Sequence, residues 1–228
     1  MCLSIIDGIL FLSYYRLSGL QKEGIMKKEE KTGLTKERIL LAAMEEFGEK
    51  GYAAASLNNI CAAGIPKGLL YHNYENKDAL YLACVKQSFS ILMNCLQEKG
   101  GDGGLQEYME ARLLFFRENK KEARLFFETL LQPPAALSEQ ITELKKEFDE
   151  WNRSLYRRLL SGITLRKGVT QEAAMEYFTL MQSMFNGYFS SPACSGMPFT
   201  DIVKAHETKL SVFLDYMLYG MAERGEKE

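Results

Sequence analysis

The chain has 228 residues, of which 46% are hydrophobic and 25% are charged, a composition typical of a soluble globular protein. With only 5 prolines and no low-complexity tract, the sequence excludes a disordered chain, and its length suits one domain or two modest ones. The formal net charge is −2, so any binding to nucleic acid or to anionic lipid must come from a local patch.

The first 25 residues differ from the rest of the chain. Their apolar run, residues 5–15, contains Asp7 and is far shorter than the ~20 residues of a membrane span, and no basic segment precedes it as in a secretory signal. Codons for residues 22–24 can include a purine-rich ribosome-binding sequence a short distance before Met26. We therefore predict that residues 1–25 are a translated leader. A native amphipathic arm and a membrane anchor are the alternatives.

From Thr35 onward the apolar residues recur at helical spacing. We expect Thr35 to cap a first helix that ends at Gly48 and Gly51. Ser56 is then predicted to cap a short helix over residues 57–63, which a turn separates from another short helix over residues 67–74.

The turn between the two short helices has a specific chemistry. Gly64 can adopt the backbone conformation of a tight turn, and Pro66 forces Ile65 out of the helical region while suiting the first position of a new helix. Helix, tight turn and helix together form the helix-turn-helix pattern.

The remaining elements are also predicted to be helical. Asn76, Ser138, Thr170 and Thr200 are expected to cap helices. The predicted segments are residues 77–97, 105–117, 120–131, a long helix from 138, a helix from 170 to near 192, and a last helix from 200, with a glycine-rich loop over 100–104. No alternating strand pattern competes, so the predicted fold class is all-α.

The helix that begins at Thr170 is apolar on two sides, which indicates burial on two sides. We expect one side to pack in the core and the other against a second copy of the chain, so that this helix and the last one form a four-helix bundle in a homodimer. A central helix wholly inside one subunit is the alternative. The residues predicted at the dimer interface, with Phe185 and Phe213 as outward-facing examples, are Phe185, Tyr188, Phe213, Leu214 and Met217.

Aromatic residues and methionines are dense between residues 105 and 189, which favours an apolar ligand pocket, although packing of an ordinary core is the alternative. Arg112 and Glu110 are either buried polar anchors or solvated side chains. The candidate pocket residues are Tyr108, Arg112, Phe116, Phe127, Trp151, Tyr156, Met181 and Met184.

The histidines and cysteines predict neither a metal site nor a disulfide. His72 and His206 are too far apart for metal-ligand spacing, and an odd number of cysteines without a Cys-x-x-Cys pair indicates free thiols in a reducing cytoplasm. We expect no metal and no cofactor. Cys194 lies in a predicted loop, where an idle surface thiol is favoured over a redox sensor.

The charge pattern of residues 26–80 is compatible with DNA contact. Eight basic side chains balance eight acidic ones there, but none of the acids lies between Gly51 and Tyr74. Lysines and helix N-termini bind phosphates, and asparagine can pair with adenine.

Two segments carry a family resemblance. The first is Phe47-Gly48-Glu49-Lys50-Gly51-Tyr52 with Ser56-Leu57-Asn58-Asn59-Ile60. The second is Lys67-Gly68-Leu69-Leu70-Tyr71-His72-Asn73-Tyr74, followed by Asn76-Lys77-Asp78-Ala79-Leu80. Both resemble the DNA-binding domain of tetracycline-repressor (TetR) family regulators. The resemblance covers residues 35–80. One feature departs from it, because the second helix and turn are one residue shorter than usual, with Pro66 in place of the usual serine. This departure bears on the docking angle on DNA.

The resemblance implies a dimeric transcription factor, usually a repressor, that a small molecule releases from its DNA operator. It implies an N-terminal helix-turn-helix domain over residues 26–80, with residues 67–73 in the major groove, and a helical ligand-binding and dimerisation domain over residues 81–228. Tyr74 is expected in the core. The candidate DNA-binding residues are Lys36, Ser56, Asn58, Lys67, Gly68, Leu69, Tyr71, His72, Asn73 and Lys77.

The function predicted on these grounds is a ligand-responsive, cytoplasmic regulator whose partners are double-stranded DNA, a small-molecule effector and a second copy, but no membrane. A helix-turn-helix module that binds protein instead of DNA is the alternative. A small helical enzyme is a further one, but the sequence contains none of the nucleophile, zinc or nucleotide-binding motifs of enzymes. We therefore expect no enzymatic activity.

Overall fold

The computed structural model describes residues 28–100 and 103–221, so the predicted leader lies outside the described residues. Within those two ranges the chain forms nine α-helices, two short 3-10 helices and no β-strand, which confirms the predicted all-α class. The α-helices are α1 Lys28–Ala54, α2 Leu57–Ala62, α3 Lys67–Asn73, α4 Lys77–Gly100, α5 Leu105–Glu118, α6 Lys120–Leu131, α7 Ser138–Ser161, α8 Gln171–Phe189 and α9 Phe199–Met221.

Helix α1 is longer at both ends than the sequence analysis predicted. It already begins at Lys28, so the prediction that Thr35 is its N-cap is wrong, because the lysines and glutamates before Thr35 are good helix formers. Gly48 also lies inside the helix, where a Cβ atom would come within 2.9 Å of the Lys121 Cα of α6. Only Gly51 breaks the helix, with φ 76° and ψ 172°.

Helices α2 and α3 form the predicted helix-turn-helix. The Ser56 side chain caps α2 by accepting the N–H of Asn58 at 3.2 Å. The turn contains Gly64 at φ 86°, a conformation that favours glycine, and Pro66 precedes the first residue of α3. Interactions within a few residues therefore determine where these two helices begin and how they are connected.

Helix α4 is the central helix, and it packs against α1, α5, α6 and α7. It is long and apolar enough to cross a membrane by length and composition alone, but most of its apolar window is buried by the neighbouring helices. It also extends to Gly100, which packs closely on the backbone of Tyr108 at the start of α5. The predicted glycine loop is correspondingly shorter.

The predicted helix caps are partly confirmed. Asn76 accepts the N–H of Ala79 at 2.8 Å, and Thr170 accepts the N–H of Ala173 at 3.2 Å. Ser138 is not a cap, because the 3-10 helix Ala135–Leu137 leads directly into α7, and Thr200 lies inside α9, which begins one residue earlier.

The second 3-10 helix, Pro192–Cys194, follows α8 and buries the thiol of Cys194. The prediction of a surface thiol at this position is therefore wrong, because the short helix turns the side chain into the core.

Candidate functional site

Helix α3 presents one polar face to solvent and one apolar face to the core. Lys67, Tyr71 and His72 are exposed, with 45% of the Tyr71 side chain accessible, whereas Leu70 is completely buried. Gly68 lies on the exposed face between them, and a Cβ atom there would meet no atom within 4 Å. The exposed face is therefore an open surface with one lysine, a tyrosine hydroxyl and a histidine.

A buried carboxylate holds α2 in place behind this surface. Glu46 of α1 accepts the backbone N–H of Ser56 at 2.9 Å and the Asn59 amide at 2.8 Å, and Lys50 donates to both carboxylate oxygens. Burial alone would raise the pKa of Glu46, but the hydrogen bonds and charge of Lys50 and the bonds from Asn59 and Ser56 outweigh it and lower the pKa. The acid nearest to α2 is thus neutralised internally and does not add negative charge to the surface.

The other predicted DNA-binding residues are divided between exposed and structural positions. Lys36 and Asn58 are exposed, and Leu69 is half-buried. The Asn73 amide donates to the Leu69 carbonyl at 2.8 Å, so it closes the end of α3. Lys77 lies 4.7 Å above the ring of Tyr52. Ser56 has the capping role given above, and whether any of these residues contacts DNA stays a prediction.

Tyr74, predicted in the core, is half-buried and packs against it at the start of the link to α4. Burial is the main cause of the raised pKa of its phenol. The residue therefore supports α3 from behind and is separate from the exposed face.

Helices α5 to α9 surround a cavity of about 240 Å³. Ten of its 22 lining residues are leucine or phenylalanine, and the other twelve have polar or charged side chains, including three charged residues of α7. The lining residues are Leu105, Tyr108, Arg112, Phe126, Leu130, Lys145, Phe148, Asp149, Asn152, Arg153, Leu155, Tyr156, Leu159, Phe178, Thr179, Gln182, Ser183, Asn186, His206, Leu210, Leu214 and Leu218.

The polar side of the cavity is built around a buried ion pair. Arg112 donates through Nε and Nη2 to the two carboxylate oxygens of Glu207, at 2.9 and 2.6 Å. Burial alone would raise the pKa of Glu207, but the charge of Arg112 and the hydrogen bonds from His206 and Arg112 together outweigh it and lower the pKa, so the carboxyl group stays ionised. His206 lies 3.1 Å from the same carboxylate, and burial lowers its pKa, which favours the neutral ring. Tyr108 adds a hydrogen bond to Asn152 at 2.9 Å.

Of the predicted pocket residues, Tyr108, Arg112 and Tyr156 line this cavity. Phe116 and Phe127 are buried beside it in the aromatic core, and Trp151 and Met181 are half-buried. Met184 is 59% exposed on the opposite side of α8. These five do not line the cavity, because composition alone does not tell which side of a helix faces inward.

A second polar contact joins the cavity region to the helix-turn-helix. Glu128 of α6 accepts the backbone N–H of Tyr52 at 3.0 and 3.1 Å and the hydroxyl of Tyr81 at 2.9 Å. Tyr52 is the residue after the break at Gly51. The cavity-lining Phe126 lies on the same helix as Glu128, so α6 contacts both regions.

A stripe of exposed apolar side chains runs along α8 and α9. Leu180 and Tyr216 are 57% and 70% exposed. Phe185, predicted to face outward, is buried and stacks on Phe213 with ring centroids 4.8 Å apart, so that expectation is wrong. Of the other predicted interface residues Leu214 and Met217 are also buried, and Tyr188 is 49% exposed. The exposed stripe comprises Tyr177, Leu180, Met184, Tyr188, Val212, Tyr216 and Tyr219.

Known proteins resemble this chain most clearly in the helix-turn-helix segment. Residues 39–84, which include α2, the turn and α3, match the model of bacterial regulatory proteins of the tetR family. The HTH-type transcriptional regulator RutR of Escherichia coli is 29% identical over 130 residues, which are 54% of this chain and 61% of RutR. IcaR of Staphylococcus epidermidis, a negative transcriptional regulator of a biofilm operon, is 28% identical over 130 residues, or 55% of this chain and 67% of IcaR. These matches support a TetR-family regulator, and the family model itself covers the helix-turn-helix segment.

The TetR-type fold extends through the C-terminal helices. A TetR-family transcriptional regulator from Pectobacterium atrosepticum superimposes with a TM-score of 0.60 at 16% identity, covering 88% of this chain and all of the other. One from Cytophaga hutchinsonii gives the same TM-score at 14% identity, covering 86% and 98%. At such low identity these neighbours show the fold alone. The alignment with RutR spans 61% of that relative's length.

Several residues that build the site were not predicted from the sequence. Glu207 lies four residues after Val203 and three before Leu210, so it interrupts the apolar stripe of α9, a signal that indicates a buried charge. Asn152 similarly follows Phe148 by one helical turn. Glu128 has no such local signal, because its partners are distant in sequence.

Proposed function

We propose that the chain is a ligand-responsive DNA-binding regulator of transcription, most simply a repressor that a small molecule releases from its operator. One observation carries the proposal. Lys67, Tyr71 and His72 are exposed together on α3 while Leu70 is fully buried, so the helix is anchored to the core and its polar face is available to a DNA groove.

The electrostatics of this face support binding to phosphates. No acidic residue lies between Gly51 and Tyr74, and the nearest carboxylate on the α2 side, Glu46, is buried and hydrogen-bonded to Lys50, Asn59 and Ser56. A single lysine and two helix N-termini are a small basic footprint, so we expect affinity to depend on two copies bound to adjacent half-sites.

The second copy is proposed to pack on the exposed apolar stripe of α8 and α9. Leu180, Tyr188 and Tyr216 would be solvated in an isolated subunit, and burial of such large side chains stabilises a four-helix interface.

The cavity of α5 to α9 is the proposed effector site, and α6 is the proposed route by which it affects DNA binding. Phe126 of α6 lines the cavity, and Glu128 of the same helix bonds to the Tyr52 backbone beside the helix-turn-helix. A ligand that displaces α6 would therefore shift α1 and α2. In this proposal residues 26–80 bind DNA, residues 81–228 bind the effector and the second copy, no catalysis is involved, and the protein acts in the cytoplasm.

The test is a selection of binding sites from random duplex DNA with the full-length chain, followed by affinity measurements over a range of salt concentrations. We expect one palindromic sequence to be enriched. Lys67→Ala should make the slope of log affinity against log salt shallower by about one, the loss of one phosphate contact. Lys86→Ala, an exposed lysine on α4, is the matched control and should not change the slope.

The outcome also decides between this function and a protein-interaction module. Enrichment of no duplex sequence, or an affinity that does not depend on salt, would contradict the proposal and favour a helix-turn-helix that binds protein.

A further inference from the structure

Three charged side chains of α7 line one wall of the cavity. Lys145, Asp149 and Arg153 are spaced four residues apart and therefore lie along one face of the helix. In the part of the chain that the structure describes, neither Lys145 nor Arg153 has a carboxylate within 4 Å. The wall thus carries two cations and one acid, with no direct ion pair among them.

The buried polar group of Arg112, Glu207 and His206 contributes no net charge. Arg112 and Glu207 neutralise each other through two hydrogen bonds, and burial keeps His206 neutral. The Arg112–Glu207 pair adds no net charge, so the two cations and one carboxylate of α7 leave the cavity with a balance of one positive charge. A ligand with one negative charge would cancel it.

Tyr156 provides an unused hydrogen-bond donor. Its side chain lines the cavity and is only 3% exposed, and its ring stacks on Phe178 with centroids 3.9 Å apart. The hydroxyl is buried and has no hydrogen-bond partner. A buried hydroxyl without a partner destabilises the fold, so such groups normally have a hydrogen-bond partner, and a molecule bound in the cavity can supply one here.

Neighbouring hydroxyls on α8 cannot satisfy Tyr156 by donating to it. Thr179 donates to the Met175 carbonyl at 3.0 Å, and Ser183 donates to the Thr179 carbonyl at 2.9 Å. These two hydroxyls therefore offer a ligand only acceptor lone pairs, whereas the Tyr156 hydroxyl and the side chains of Lys145 and Arg153 can donate to an acidic oxygen group.

The size of the cavity limits the rest of the ligand. About 240 Å³ lies below the usual range of roughly 300–1,000 Å³ for ligand pockets, and ten of the 22 lining residues are leucine or phenylalanine. A compact body with an apolar part fits beside these leucine and phenylalanine side chains.

We propose that the effector is a small organic monoanion, with a single carboxylate on a compact apolar body, held by the positive balance of the α7 wall and by the Tyr156 hydroxyl. This inference rests on the proposed function for the role of the cavity. It adds the chemical class of the ligand.

The experiment compares acids with neutral amides of the same shape. Benzoate, phenylacetate and hexanoate are titrated into the full-length chain beside benzamide, phenylacetamide and hexanamide, by calorimetry and by fluorescence of Trp151, the only tryptophan, whose ring centroid lies 6.0 Å from that of Tyr108. We expect at least one acid to bind roughly tenfold more tightly than its amide, the effect of about one charge contact. If every amide binds as tightly as its acid, or no acid binds, the inference fails.

Three variants test the assigned groups in opposite directions. Arg153→Gln should weaken binding of the acid several-fold and leave the amide unchanged, while Asp149→Asn should tighten binding of the acid. Arg157→Gln, an exposed arginine on the same helix that does not line the cavity, is the matched control and should have no effect. Equal responses of Arg153→Gln and Arg157→Gln would contradict the electrostatic part of the proposal.

Tyr156→Phe separates a ligand contact from a structural role. It should weaken binding of the acid while the melting temperature stays the same or rises, because an unsatisfied buried hydroxyl is removed. Unchanged binding in this variant would exclude the hydroxyl from the site.

DNA binding by the unliganded chain is measured in parallel, so the two proposals can fail separately. Sequence-specific DNA binding without acid preference would overturn this inference alone. Acid binding without sequence-specific DNA binding would overturn the regulator proposal and leave the ligand class standing.

Discussion

The carboxylate of Glu128 accepts the backbone N–H of Tyr52 at 3.0 and 3.1 Å, although the two residues are 76 positions apart. Tyr52 follows the break in α1 at Gly51, where a Cβ atom would lie 2.7 Å from the Glu128 carboxylate. The same carboxylate accepts the hydroxyl of Tyr81 on α4 at 2.9 Å. One side chain of α6 therefore ties together the end of α1 and the helix that links the two halves of the chain.

Removing this tie should affect both stability and DNA binding. Glu128→Ala leaves a backbone N–H and a tyrosine hydroxyl without their charged partner, so we expect a loss of about 1.5–3 kcal/mol in the free energy of unfolding, measured in urea. Affinity for the selected DNA should fall too, because α2 follows the loosened segment. Glu98→Ala, an exposed glutamate on α4, should change neither quantity.

The exposed and the half-buried residues of α3 should behave differently. Tyr71→Ala is expected to weaken DNA binding by about 1–3 kcal/mol and to change the preferred sequence, since an exposed tyrosine on this face can contact a base or a phosphate. Asn73→Ala should preserve the preferred sequence, because its amide is used by the Leu69 carbonyl. Repeating the selection from random DNA with each variant measures this. A changed preference for Asn73→Ala would place its side chain on the DNA.

Two glutamate substitutions on α8 should distinguish the interface from the core. Leu180→Glu should give folded monomers, because Leu180 is 57% exposed in the subunit and the new charge is buried only in the dimer. Phe185→Glu should unfold the subunit itself, since Phe185 is buried between Phe189 and Phe213. Sedimentation and circular dichroism record the two effects. Leu113→Glu, an exposed leucine on α5, should leave a folded dimer, and monomeric wild-type protein would refute the interface.

Removing one partner of the ion pair beside the cavity should destabilise the protein much more than replacing both partners. Arg112→Met leaves the Glu207 carboxylate buried without its cation, for an expected loss of about 3–5 kcal/mol in the free energy of unfolding. Adding Glu207→Leu to that variant should recover most of the loss, because no buried charge remains. Urea unfolding of both single variants and the double variant tests the coupling. Additive losses would mean that the two residues do not act as a pair.

Glu122 of α6 should make stability depend on pH. It is 3% exposed, Oε2 has no hydrogen-bond partner, and burial raises its pKa above the ordinary value of 4.5. Its stabilising contribution is therefore complete below that ordinary value and is lost as the pH rises through the raised pKa. We expect Glu122→Gln to be more stable than the wild type at neutral pH and similar to it near pH 4.5. Equal thermal stability of the two proteins at every pH would contradict this.

The sequence by itself determined the helical class, the helix-turn-helix and its family resemblance. These depend on interactions within a few residues: Ser56 and Asn76 cap the helices that follow them, and Gly64 and Pro66 shape the turn. Helical spacing also predicted that the α8 helix is apolar on two sides. Local chemistry of this kind is the same in any tertiary context.

Only the tertiary structure decided which side chains meet. Glu128 pairs with Tyr52 across 76 positions, and Arg112 pairs with Glu207 across 95. Helical periodicity in the sequence does not tell how two distant helices are rotated relative to each other. For the same reason Phe185 lies in the core and Leu180 at the surface, although both are apolar residues of one helix. A side chain's face is a property of its own helix, but what covers that face depends on how all nine described helices pack.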